Sequence, residues 1–144
     1  MATPYSDVIN NFLGKITDYE LPKFLLTERE TIVYGYMVTS CSKFKRLCKV
    51  DLSDRDDTEK QFNQDLDDEI IDIITESMIV EWLKPKLYSL ENLRNVLNTK
   101  DYTQFSPANL LDKIQTTYKE AKLESKRMMN NYSHYHGKID EITQ

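Results

Sequence analysis

The stretch that decides the fold is Asp65–Pro85, DLDDEIIDIITESMIVEWLKP. Its apolar side chains recur at spacings of three and four residues, as they do along one face of an α-helix. Further apolar side chains widen this face, which indicates a helix that is covered on more than one side. We therefore predict that this stretch is the central helix of a small all-α domain. The face and its widening comprise Leu66, Ile70, Ile71, Ile73, Ile74, Met78, Ile79, Val80, Trp82 and Leu83.

The two ends of this helix also carry signals. Asp65 is of a residue type that caps a first helical turn, and the acidic residues at 67–69 suit the positive end of the helix dipole. Pro85 is predicted to end the helix, because the residue before a proline avoids helical backbone angles.

Two further helices are predicted in the first third of the chain. Thr3 is the predicted N-cap of the first, with Pro4 at its first helical position. The second opens at Thr27, where Thr27 and Glu30 form a capping box. Gly35 lies inside this second helix and costs about 1 kcal/mol relative to alanine, so we expect it to permit close packing against another helix.

The remaining helices are predicted after Pro85. A short helix begins at Ser89, and the last begins at Ser106 and Pro107 and ends near Tyr132. The fold class is therefore all-α: a compact bundle of four to five helices with a long acidic loop, a projecting C-terminal helix and tail, and no sheet larger than a hairpin. We predict a single helical domain over residues 1–130 and a C-terminal docking tail over residues 131–144. Removing that tail is expected to leave the melting temperature nearly unchanged.

Composition narrows the classes of function. The chain has 144 residues, a formal net charge of −5, three glycines and four prolines. A net negative charge disfavours general nucleic-acid binding, since phosphate affinity comes from clustered Lys and Arg. No apolar run approaches the roughly 20 residues that span a bilayer, and no secretory signal is visible. We expect a protein made in a cytoplasm and no membrane partner.

Residues of the types that carry chemistry do not form a recognisable set. Cys41 and Cys48 lie in one predicted helix, roughly 10 Å apart, which is too far for a disulfide, and are interpreted as small buried side chains. His134 and His136 fall short of a zinc set. The aspartates of residues 51–57 lack the glycine and the closing glutamate of a calcium loop. We predict no enzyme activity, no metal and no cofactor.

Several pieces of the sequence resemble a family of small structural proteins from tailed bacteriophages and prophages of Gram-positive bacteria. The resemblance covers about residues 3–130 and fades in the last dozen. Its most distinctive parts are the Glu-Trp-Leu-Lys-Pro and Ser-x-Ala-Asn pieces. The shared pieces are Asp51-Leu52-Ser53-Asp54-Arg55-Asp56, Phe62-Asn63, Glu81-Trp82-Leu83-Lys84-Pro85, Lys100-Asp101 and Phe105-Ser106-x-Ala108-Asn109.

The resemblance implies a head–tail connector, or adaptor. Such a subunit forms a ring, commonly twelvefold, below the portal protein and joins the DNA-filled head to the tail or stopper proteins in the virion. Genomic DNA passes through the ring without sequence-specific binding, and a C-terminal segment reaches the portal. A tail-terminator or completion protein is a near alternative. A small cytoplasmic phage-encoded regulatory binding protein is the alternative from another class.

The candidate contact residues are chosen by residue type, as aromatic side chains or as charges of the acidic loop, and by this resemblance. Trp82 is either a core residue or a contact anchor. Residues of the acidic loop are candidates for lining the channel or contacting a neighbouring subunit: Asp51, Asp54, Arg55, Asp56 and Asp57. The candidates for partner contact are Trp82, Tyr102, Phe105, Tyr132, His134, Tyr135 and His136.

Overall fold

The computed structural model of the protein describes residues 2–18, 30–88 and 107–136, with side chains from residue 111 onward in the last segment. Within these ranges it contains four helices: α1 (Tyr5–Thr17), α2 (Glu30–Phe44), α3 (Asp68–Tyr88) and α4 (Pro107–His136). The predicted all-α bundle is confirmed. The predicted starts at Thr27 and Ser89, and the acidic and aromatic residues of the linker before Pro107, lie outside the described residues.

Helix α3 is the centre of the bundle, because α1, α2 and α4 each pack mainly against it. Its stripe is buried as the sequence predicts, and the widened face is buried as well except at Ile71, which is partly buried. Eleven of its side chains are buried, and the bulkiest have no exposed surface at all. The members of this group with no exposed surface are Ile74, Thr75, Met78, Trp82 and Leu83.

Both predicted ends of α3 are corrected. The cap is Asp67 and not Asp65, because the Asp67 carboxylate accepts a hydrogen bond from the Ile70 N–H at 2.9 Å. At the other end the helix continues through Pro85 to Tyr88. An internal proline costs about 3 kcal/mol, but Leu83 and Lys86 on either side of it are buried. Burial of Leu83 and the hydrogen bond that the Lys86 ammonium donates to the Trp82 carbonyl at 3.1 Å offset the lost backbone hydrogen bond.

A small sheet closes the acidic loop, residues 51–67. Strands β2 (Arg55–Asp56) and β3 (Gln61–Phe62) form a hairpin, and β1 (Thr3–Pro4) pairs antiparallel with β3, giving the order β1-β3-β2. The prediction of no sheet larger than a hairpin is wrong in this respect. The reason is the chain terminus: Thr3 does not cap α1 but donates its hydroxyl to the Gln64 carbonyl at 3.1 Å and accepts from the Leu66 N–H at 2.9 Å.

The last helix, α4, extends further and packs more closely than the sequence predicts. Residues 131–136, assigned to the tail, form its final turns. Tyr132 and Ser133 are buried, and the His136 ring nitrogen lies 3.0 Å from the Glu69 carboxylate at the start of α3. Helix α4 therefore stays on α3 to its end and does not project as predicted.

Gly35 does not have the predicted packing role. It is exposed, and a Cβ atom added there would meet no atom within 4 Å. We expect Gly35→Ala to stabilise the fold by about 0.5–1 kcal/mol, because alanine loses less backbone freedom on folding. Gly14 in α1 is equally open, and its replacement by alanine is the matched comparison. Urea unfolding measures both, and a destabilised Gly35→Ala variant would contradict the exposed position.

Candidate functional site

The aspartates of the acidic loop are used within the loop itself. Asp51 accepts hydrogen bonds from the Ser53 N–H at 3.0 Å and the Ser53 hydroxyl at 2.6 Å. Asp56 accepts from the backbone N–H groups of Thr58 at 3.0 Å and Glu59 at 3.1 Å. Such carboxylate-to-backbone bonds fix the turns of an irregular segment. The acidic loop is therefore an ordered structure held by its own carboxylates.

Asp54 ties the two ends of the hairpin together. Its carboxylate accepts from the side-chain amides of Asn63 at 2.9 Å and Gln64 at 3.0 Å. The Asp54 carbonyl also accepts from the Asn63 N–H at 3.0 Å. The two side-chain bonds hold the pKa of Asp54 below its ordinary value, because they favour the ionised carboxylate.

Asp57 joins the acidic loop to two helices. One of its oxygens, Oδ1, accepts from the Tyr5 hydroxyl of α1 at 2.6 Å and from the Tyr34 hydroxyl of α2 at 2.7 Å. These bonds lower the pKa of Asp57. Burial and its hydrogen bond to Asp57 raise the pKa of Tyr5. The pKa of Tyr34 is raised by its own hydrogen bond to Asp57 and by burial. We call Tyr5, Tyr34 and Asp57 the tyrosine clamp.

The tyrosine clamp was not found by sequence reasoning. Tyr5 is 4% exposed, as an apolar core residue would be, and the partner of its hydroxyl lies 52 residues away in the sequence. Nothing in the sequence around Tyr34 indicates a hydrogen-bond partner, because the position of Asp57 is set only when the loop folds. The clamp forms part of the wall of a cleft of about 930 Å³ between α1, the start of α2 and the loop. The rest of that wall is mixed: Ile9, Leu13 and Val33 are apolar, and polar or charged residues stand beside them, among them Asn10 and Lys60.

The clamp gives the stability a defined pH dependence. The folded pKa of Asp57 lies below the ordinary value of about 3.9, so its contribution is present above that value and is lost as pH falls through the folded pKa. In thermal unfolding from pH 7 to pH 2, we expect the melting temperature to fall less steeply below about pH 5 in Asp57→Asn than in the wild type. Asp112→Asn on α4 is the control and should follow the wild-type profile. Equal slopes for the wild type and Asp57→Asn would contradict the clamp.

Arg55 lies inside the loop and faces inward. Its guanidinium donates to the Leu52 carbonyl at 3.0 Å, and its charge acts on Asp57 and on the Cys41 thiol. Burial raises the pKa of Cys41 to about 12. Cys41 and Cys48 are both buried and form no disulfide, as the sequence predicts, but Cys48 lies beyond the end of α2 at Phe44 and not in the same helix as Cys41.

A second polar cluster links α2 and α3. Glu81 binds the ammonium groups of Lys43 and Lys84, the latter at 3.0 Å. Burial opposes the ionisation of Glu81, but the two lysines prevail and its pKa lies below the ordinary value. Glu81 and Lys84 belong to the Glu-Trp-Leu-Lys-Pro piece, so this piece of sequence serves the packing of α2 on α3.

The candidate contact residues divide into buried and exposed groups. Trp82 has no exposed surface, and its ring meets that of Phe12 edge-to-face with the ring centres 6.3 Å apart, so it is a core residue in this fold. Tyr132 is 3% exposed and packs edge-on against Phe44 at 5.1 Å. Neither offers a side chain to a partner of the folded chain, which corrects their assignment as contact residues. Tyr102 and Phe105 lie outside the described residues.

The last turn of α4 does present exposed rings. Tyr135 is 79% exposed and meets the exposed His134 ring edge-on at 5.5 Å. His136 is half-buried, stacked on Tyr132 at 4.1 Å and close to Glu69. The structure therefore brings Tyr135 and His134 together on the surface and directs His136 toward α3.

No family model, curated protein or solved structure matches this chain in the comparisons. Within the described ranges, no group of three or more His, Cys, Asp or Glu is arranged to hold a metal ion. None of the described helices is long and apolar enough to cross a membrane. The resemblance in sequence and the surfaces of the bundle are therefore the features of this chain that bear on its function.

Proposed function

We propose that the protein is a head–tail connector subunit of a tailed bacteriophage. It acts as an adaptor that forms a ring below the portal and joins the DNA-filled head to the tail. The observation that carries this proposal is the set of shared sequence pieces, above all Glu81-Trp82-Leu83-Lys84-Pro85 in α3. In the fold this piece supplies the buried Trp82 and Leu83 and the ion pairs of Glu81.

The charge of the bundle is compatible with a channel for DNA. Between residues 51 and 72 there are ten Asp and Glu against two Lys and Arg. A surface of this sign repels phosphates, so DNA can pass without adhering. Asp51, Asp54, Asp56 and Asp57 thus combine an internal structural role with a negative field, whichever side of the ring they occupy.

The exposed pair Tyr135 and His134 is the proposed contact with the portal. Aromatic rings that are exposed in the free chain and buried in a complex are the commonest energetic anchors of interfaces. The His134→Ala/Tyr135→Ala variant is expected to fold normally and to lose at least about tenfold in affinity for portal, since anchors contribute about 2 kcal/mol or more. Tyr88→Ala, at an equally exposed tyrosine, is the control and should bind as the wild type does. The dissociation constant is measured by surface plasmon resonance, with the portal immobilised and each variant in solution. Unchanged affinity of the double variant would show that these rings do not contribute to the contact with the portal.

Disruption of the gene in the phage that encodes the protein tests the function. A connector predicts DNA-filled heads and complete tails that remain unjoined in electron micrographs of the lysate, with joining restored by the gene in trans. Tails of abnormal length would indicate a tail terminator instead. Intact virions would indicate the regulatory alternative and would refute the connector.

A further inference from the structure

One flank of α4 carries unpaired positive charge. Lys119, Lys122 and Lys126 follow at spacings of three and four residues, which places their side chains on one face of the helix. All three are exposed, and Leu123 beside them is 70% exposed. The Lys122 ammonium lies 5.9 Å from the centre of the Tyr118 ring. Among the described residues, none of the three forms an ion pair with a carboxylate. We call Lys119, Lys122, Leu123 and Lys126 the basic face.

Carboxylates without cation partners lie at the start of α3. Asp65 and Asp68 are exposed, and neither forms an ion pair with any described residue. Asp67 between them is exposed as well and uses one oxygen to cap the helix. We call Asp65, Asp67 and Asp68 the acidic face. The positive end of the helix dipole offsets part of the repulsion among these carboxylates, and an approaching opposite charge would relieve more of it.

The two faces cannot neutralise each other within one chain. His136, at the last turn of α4, contacts Glu69 at the start of α3. Lys126, the member of the basic face nearest to His136, lies ten residues before it, which is about 15 Å along the helix axis. A lysine side chain spans only a fraction of that distance. Attraction between the basic face and the acidic face can therefore act only between separate copies of the chain.

We propose that the basic face of one copy docks on the acidic face of a second copy. The two surfaces differ, so each copy uses one face toward each of two neighbours, and this head-to-tail contact closes a ring if the rotation permits. Leu123 supplies apolar contact between the lysines. The inference rests on the proposed function in taking the assembly to be a ring.

A nucleic acid is the less suitable occupant of the basic face. Three lysines give a modest phosphate site, and the strongly acidic segment 51–72 repels a long polyanion. The acidic segment of a neighbouring copy, by contrast, has the complementary charge and is present at equal concentration.

Charge exchange between two variants tests the contact on the purified full chain. Sedimentation velocity at about 50 mM salt should show self-association of the wild type, which is lost at about 1 M salt, where the Debye length is about 3 Å. Lys119→Glu/Lys126→Glu and Asp65→Lys/Asp68→Lys should each weaken association at low salt by at least about tenfold. An equimolar mixture of the two should associate again, because the intact basic face of one variant meets the intact acidic face of the other, and the two reversed faces are complementary as well. Lys119→Arg/Lys126→Arg keeps the charge and should behave as the wild type.

Three outcomes overturn the docking: a wild type that is monomeric at low salt, reversed variants that still associate, or a mixture that stays monomeric. Loss of binding to a duplex DNA fragment in the Lys→Glu variant, with self-association intact, would assign the basic face to nucleic acid instead. Circular dichroism of each variant establishes that it is folded. Portal is absent from these measurements, so failure of the docking and failure of the connector function give separate results.

Discussion

Trp82→Ala is expected to destabilise the fold by about 3–5 kcal/mol. Trp82 is fully buried in α3, packs edge-to-face on Phe12 of α1 and has the Lys86 ammonium 4.7 Å above its ring. Its removal leaves a cavity where α1 meets the central helix. Small domains have only about 5–15 kcal/mol of stability in total, so the variant should be close to unfolding.

Urea unfolding followed by circular dichroism measures this effect. Tyr88→Ala is the control: it lies in the same helix, its side chain is 82% exposed, and its change should stay within about 0.5 kcal/mol. A similarly small change for Trp82→Ala would show that α3 is not the centre of the bundle.

Truncation after Asn131 is expected to cost about 3 kcal/mol or more, which lowers the melting temperature by roughly 10 °C. The deletion removes Tyr132, which packs on Phe44 and whose hydroxyl accepts from the Lys49 N–H at 3.2 Å. It also removes His136 and its contact with Glu69. This expectation reverses the one drawn from the sequence, in which the segment had little to pack against.

Single substitutions separate the aromatic contact from the loss of the helix end. Tyr132→Ala in the full chain should account for most of the loss. Tyr135→Ala, three residues further along and exposed, should leave the melting temperature within about 2 °C of the wild type. A truncated chain with the melting temperature of the wild type would show that the end of α4 adds nothing to the stability of the bundle.

Local periodicity explains what could be predicted from the sequence. The stripe of α3 repeats over about twenty residues, so its helix and its burial follow without knowledge of its neighbours. The end at Pro85 was misplaced because a local rule about proline was overridden by burial of Leu83 and Lys86. Caps and breaks of a helix depend on one or two residues, and tertiary packing readily changes their outcome.

Contacts between distant residues explain what was missed. Tyr132 has few apolar neighbours in sequence, and its support comes from Phe44 and Lys49, which lie more than eighty residues earlier. The tyrosine clamp likewise joins Asp57 to Tyr5 and Tyr34 across 52 and 23 residues. A carboxylate that looks solvated in sequence can acquire such partners only once the helices are in place. The acidic loop was therefore predicted as a segment, but its internal order was not.

The mass of the complex formed with portal tests the connector proposal most directly. Purified portal rings are mixed with the full chain, and the mass of the product is measured by sedimentation and light scattering. The proposal predicts that each portal ring gains the mass of a complete ring of subunits, with Tyr135 protected from solvent in the product. A portal ring whose mass is unchanged by excess protein would contradict the proposal.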